Sequence, residues 1–273
     1  MKSSKKLILN ADDYGLCPEV NEAVEMIAAA GRLGGVSILV NGKCFDQAIN
    51  FLQNNQNISA GIHLNVIEGK PSAPINTVQS LLGADHCFLG FRGLMQRWVL
   101  HTVRVAKEIE IEWRAQIVRL QSTGITISHA DSHQHFHAFP FAYSIALRLC
   151  EEYKIPFLRL PNEQRNSSIR STSSFALRAS LTTARFIASP AKIGHNDHFL
   201  GFERAGNYDL ISLLEDVKLL REGVTELALH PSVRENYPYA GLRGRSELMA
   251  VLDDSLAVAL ANEGCELASW NNL

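Results

Sequence analysis

One short run, Asp131-Ser132-His133-Gln134-His135-Phe136-His137, offers a carboxylate and three imidazoles, the side chains that bind divalent cations and move protons near neutral pH. Three other places carry similar chemistry: the adjacent carboxylates of Asn10-Ala11-Asp12-Asp13-Tyr14-Gly15, the histidine of Gly61-Ile62-His63-Leu64-Asn65, and that of Leu229-His230-Pro231-Ser232. Two imidazoles and one carboxylate form a facial site for a divalent ion that leaves positions open for water and a substrate oxygen. Asp13, His63 and His133 supply that set. Adjacent carboxylates repel unless a cation or proton compensates, so one of the Asp12–Asp13 pair suits the ion and its neighbour suits a base. The competing role for the pair is helix capping ahead of Pro18. Alternate residues of an extended chain point the same way, so His133, His135 and His137 share a face if the strand continues through them. His135 and His137 are then expected to orient ligands or touch substrate rather than bind the ion themselves.

The elements that must position these groups are legible as alternation. Short apolar runs read as strands at Lys6 to Asn10, Val36 to Val40, Ser59 to Asn65, Ile125 to Ala130, Phe157 to Leu160, Glu226 to His230 and Cys265 to Ser269. Segments with helical spacing lie between them: Pro18 to Arg32, Phe45 to Asn54, Val105 to Ser122, Phe141 to Lys154, Tyr208 to Arg221 and Glu247 to Glu263. Repeated βα units predict an α/β fold with about seven largely parallel strands, better suited to a (β/α) TIM-like barrel than to an open layer. All four polar clusters then fall at strand C-termini, the mouth where barrels keep their sites. Two stretches interrupt the rhythm, near 68–104 and 162–204, and read as insertions in a single domain spanning 1–273. Their apolar residues suit either a substrate lid or a homodimer interface. Aromatic residues such as Phe88, Phe91, Trp98, Phe199, Phe202, Tyr237 and Tyr239 are able to stack on a sugar face.

Bulk composition bounds the answer without choosing it. The 273 residues are 46% hydrophobic, enough for a sizeable core. A formal net charge of -2 gives no reason to expect a nucleic-acid or anionic-membrane partner. The five cysteines are dispersed and never in a CxxC arrangement, which argues against a thiolate zinc site and fits a reducing cytoplasm. No stretch approaches the length of a transmembrane segment, and Leu7-Ile8-Leu9 is too short for a signal-peptide core.

Together, Asn10-Ala11-Asp12-Asp13-Tyr14-Gly15, Gly61-Ile62-His63-Leu64, Asp131 to His137, Arg159-Leu160-Pro161 and Leu229-His230-Pro231 resemble the YdjC-type carbohydrate deacetylases over nearly the whole chain. Ile67-Glu68-Gly69-Lys70-Pro71 and Asp197-His198-Phe199-Leu200-Gly201 are similar to the hopanoid-biosynthesis-associated branch. Two positions depart from the pattern: Tyr14 stands where phenylalanine is usual, and Ser232 where glycine or alanine is frequent. The resemblance implies a distorted or incomplete barrel that uses one divalent metal ion, magnesium or zinc before cobalt or manganese, to remove the N-acetyl group of an amino sugar, glycan or glycolipid. It assigns Asp13, His63 and His133 to the metal and Asp12 to the general base. His230 is the natural acid for the leaving amine, and Arg159 would orient Asp12 or a ligand.

Two other classes fit parts of the same pattern. One is a metal hydrolase acting on another ester or a phosphoester, and the phosphoesterase would want a basic or glycine-rich phosphate cradle near the strand ends, where none is evident. A non-catalytic glycan-binding relative would need no carboxylate base beside the triad.

Overall fold

Lys5–Tyr14 forms the central strand, β1, buried from Leu7 onward. Strands covered on both faces read as continuous apolar runs rather than alternating ones, which is why Leu7-Ile8-Leu9 announces this one. On one side of β1 lie β2 (Gly35–Ile38), β3 (Ala60–Leu64), β4 (His129–Ser132) and β5 (Phe157–Leu158). On the other lie β7 (Gly223–Leu229) and then β6 (His198–Leu200). The order is β5-β4-β3-β2-β1-β7-β6, and β8 (Cys265–Leu267) pairs with the first residues of β1. Every pairing is parallel. The computed structural model describes residues 5–163, 182, 193–235 and 241–273.

Crossovers are made by α1 (Pro18–Ala29), α2 (Phe45–Asn54), α4 (Thr102–Gln121, preceded by α3 at Gly90–Leu100), α5 (Pro140–Glu152) and α6 (Leu210–Val217). Two further helices, α7 (Gly244–Leu252) and α8 (Asp254–Asn262), precede β8. The sheet curls into a barrel, as the alternation predicts, and stays incomplete, as the family resemblance implies. Among the described residues its two edges are joined by a parallel bridge from Phe157 to Gly194, by His195 Nδ1, which donates to the Leu158 carbonyl at 2.7 Å, and by Asn196, whose side chain bonds both backbone groups of Leu160 at 2.8 Å.

Several boundaries differ from expectation, each for a local reason. The expected seven strands omit β6, which lies inside the stretch read as the second insertion. Residues 164–181, 183–192 and 236–240, which include Tyr237, Tyr239 and most of that insertion, lie outside the described residues. β4 starts at His129 rather than Ile125, because Ser128 makes the first ladder bond, donating to the Ala60 carbonyl at 2.8 Å. The stretch after β3 carries two 3-10 turns and α3. The last helical segment is broken at Asp253, whose extended backbone ends α7 and whose side chain caps α8 by accepting from the Ser255 N–H.

Candidate metal centre and catalytic cavity

Strand residues normally alternate between faces, yet Asp12 and Asp13 are both buried, at 1% and 0% exposure, and line the same cavity. The register of β1 against β2 slips between Ala11 and Tyr14, and Asp13 takes a φ of 60°. An irregularity of this kind re-aims side chains, and a short polar residue tolerates the left-handed conformation better than most. Neither aspartate caps α1, whose N-cap is Cys17 with no side-chain bond. On the neighbouring strands the register sets His63 of β3 beside Asp131 of β4, and His133 follows as soon as β4 ends.

These ends converge. Asp13 Oδ1 lies 2.9 Å from His133 Nδ1 and 3.3 Å from His63 Nε2. The candidate ligand atoms of the three residues lie within 4.8 Å of one another, and the set could hold a metal ion. The opposite ring nitrogen of His63, Nδ1, donates to Asp131 Oδ1 at 2.7 Å, which fixes the tautomer and leaves Nε2 to face the cation position. Burial disfavours the charged form of both partners. It is overcome at Asp13 by His133 and then His63, which hold the carboxyl well below its usual range. It is overcome at His63 by Asp131 and Asp13, which raise the imidazole to about 10. Where an ion sits, the imidazoles must be neutral, so binding would release protons.

Behind this trio stands Arg159, wholly buried, immediately after β5. Its guanidinium donates to both oxygens of Asp12 at 2.7 Å, pairs with Asp131 Oδ2 at 2.7 Å, and donates from Nε to Glu226 Oε1 at 2.8 Å. Asn10 donates to Asp12 at 2.8 Å, and the Ser37 hydroxyl to Asp131 at 2.6 Å. Three carboxylates and Asp13 thus face one fixed cation and two imidazoles, a balance that suits an additional positive charge. Burial raises Glu226 to about 7 against the pull of Arg159. Asp131 and Glu226 are the groups that motif reading passes over. Asp131 looks like one member of a histidine cluster, and only an acid placed in an apolar strand signals Glu226.

The cluster histidines do not share a face. β4 stops at Ser132, and Gln134 and His135 adopt φ of 53° and 52°, so the rings diverge. His133 turns to Asp13. The His135 ring packs against Phe199 and Phe202, with centroids 5.4 and 5.5 Å away, and lines the cavity; burial holds it well below its ordinary pKa. His137 points away, accepting from the Ser132 hydroxyl at 2.6 Å and donating to the Arg159 carbonyl at 3.0 Å, and burial lowers it to about 4. It therefore braces the backbone of Arg159 and does not reach the cavity. The His230 ring also lines the cavity, and burial lowers its pKa, opposed by Asp12. The backbone N–H of His230 donates to Glu247 at 2.5 Å, and so does that of Tyr208 at 3.2 Å. The cavity holds about 300 Å³, with Asp12, Asp13, His63 and His133 among its lining residues.

A parallel, incompletely closed α/β barrel with a buried two-imidazole, one-carboxylate cluster at its strand C-termini defines the class: a barrel protein with a metal-competent strand-end site. Within that class the chain belongs to the YdjC-like protein family, whose model matches residues 6–262. A mouse protein named carbohydrate deacetylase is 28% identical over 98% of this chain and 94% of its own length. A Brevibacillus brevis protein of the same name is 34% identical, over 55% of this chain and 58% of its own. A candidate cellobiose-phosphate cleavage protein from Enterococcus faecalis shares the fold with a TM-score of 0.78, at 22% identity and 98% coverage of both chains.

Proposed function

We propose that this chain is a carbohydrate deacetylase that hydrolyses the N-acetyl group of an amino sugar, within a glycan or glycolipid, and releases acetate. The observation that carries the reading is the juxtaposition of Asp13, His63 and His133 with a separately held carboxylate, Asp12, in one cavity. Full-length similarity to a protein named carbohydrate deacetylase supports the substrate class. The chain would act as one catalytic domain, and its five unpaired cysteines support a reducing cytoplasm.

Asp13, His63 and His133 would hold one divalent ion, and the donor set suits zinc, cobalt or manganese, or magnesium with waters completing the shell. When bound, such an ion supplies Lewis acidity for activating water and polarising an acyl oxygen. Asp12 takes a proton from the attacking water. Arg159 and Asn10 fix the orientation of its carboxylate through their hydrogen bonds. As the acetyl C–N bond breaks, the proton taken by Asp12 passes by way of His230 to the leaving nitrogen, so a free amine and acetate depart. His135 and Phe202 form the wall against the sugar, and His137 steadies Arg159 from behind.

The test is an acetate-release screen of the chelated protein, with zinc, cobalt, manganese or magnesium restored, across N-acetylglucosamine oligomers, N-acetylated glycolipids and nucleotide sugars. Release from at least one acetamide is expected. Turnover of esters or phosphoesters alone would replace this reading.

A further inference from the structure

The insertion after β3 ends in a surface that catalysis does not use. At the corner where α3 gives way to α4, Val99, Leu100 and Val103 are 76%, 70% and 84% exposed. Isolated exposed apolar residues are ordinary, but three together at a helical corner make a patch that water solvates poorly. The corner is also basic. No Asp or Glu occurs between Asp85 and Glu108, whereas Arg92, Arg97, Arg104 and Lys107 do. Arg104 pairs with Glu108 at 2.8 Å, while Arg92, Arg97 and Lys107 are exposed and make no ion pair among the described residues. Arg92 and Val99 stand seven apart on α3, and Val103 and Lys107 four apart on α4, so apolar and cationic groups share outward faces. A net charge of -2 over the whole chain conceals this segregation.

The corner is fixed in place. Trp98 stacks on Phe141 with centroids 3.5 Å apart, and Phe91 packs on Phe136 and Phe139 at 6.4 and 5.9 Å. The inner face of α3 is thereby anchored on the segment that follows His133 and His135. Its outer corner is left to solvent.

We propose that this α3–α4 corner docks the protein on an anionic lipid surface. Val99, Leu100 and Val103 enter the headgroup boundary, and Arg92, Arg97 and Lys107 meet lipid phosphates. Charge favours this occupant over a second copy, because a two-fold contact would set the basic patch against itself. The inference rests on surface chemistry alone and stands whether or not the chain is a deacetylase.

Co-sedimentation of the full chain with phosphatidylcholine vesicles, with and without phosphatidylglycerol, tests it. Binding is expected only to the anionic vesicles, weakening as salt rises. Arg92→Gln with Arg97→Gln and Lys107→Gln should lower that binding by about tenfold or more. Val99→Ser with Leu100→Ser and Val103→Ser should also lower it, with circular dichroism unchanged since all three side chains are exposed. Equal binding to neutral vesicles, no binding at low salt, or indifference to both variants would overturn the proposal. So would dimerisation abolished by the serine variant, since a second copy would then cover the patch.

Discussion

Two neighbouring aspartates serve different ends because their surroundings differ: Asp13 faces imidazoles, whereas Asp12 is gripped through both oxygens by Arg159. On the proposed mechanism, Asp12→Asn keeps divalent-ion affinity and loses acetate release by about 10²-fold or more, as read by calorimetry and turnover on one preparation. His63→Ala and His133→Ala should weaken the ion itself. Asp131→Asn, which leaves the ligands intact but removes the acceptor for His63 Nδ1, should weaken it by about 10–100-fold. Arg159→Met would strand Asp12, Asp131 and Glu226 as buried acids, and should cost about 3–5 kcal/mol in denaturant unfolding. The sequence makes Asp13, His63 and His133 legible as candidates because the first is half of an adjacent carboxylate pair, the second interrupts an apolar run and the third lies in a histidine cluster, each at an expected strand end. It does not reveal the web behind them. Whether Asp131 and Glu226 meet one guanidinium depends on register and sheet curl, which no local pattern encodes.

At the scale of elements, the strands that alternate with strongly periodic helices are readable, and those that do not are lost. Helix α2 begins and ends where its apolar spacing predicts, at Phe45 and Asn54. By contrast, His198-Phe199-Leu200 is too short to show a period, and forms β6 only because its backbone meets β7. The histidine cluster fails in another way: period-two reasoning presumes that β4 continues, while the left-handed turn at Gln134 and His135 sends each ring elsewhere. Packing inside the barrel is correspondingly tight. A Cβ at Gly61 would sit 2.3 Å from the His129 ring, which itself stacks on Trp270 at 4.9 Å. Gly61→Ala should therefore destabilise the protein by about 1–3 kcal/mol, measured as a lower denaturant midpoint with unchanged slope.

For the molecule as a whole, the buried acids and His63 set the response to pH when no metal is bound. Burial raises Glu226 to about 7 and Glu247 to about 8, and carboxylates hold His63 near 10. In each case the folded state keeps a proton that the unfolded chain gives up at lower pH. Stability therefore falls as pH rises. The buried His129 and His137, lowered to about 3 and 4, and His135 and His230, also lowered by burial, act oppositely, and their contribution to the slope fades only above the ordinary histidine value of about 6.5. The chelated protein should lose roughly 1–3 kcal/mol of unfolding free energy per unit between about pH 7 and 8. A flat or rising profile would contradict the burial assigned to these groups. On the proposed function, one divalent ion held by Asp13, His63 and His133 makes this barrel a deacetylase. Acetate release from an N-acetylated amino sugar during divalent-ion titration of the chelated protein tests it most directly. The expected result is no release without the ion and full release at one ion per chain, whereas full release from the chelated protein would contradict it.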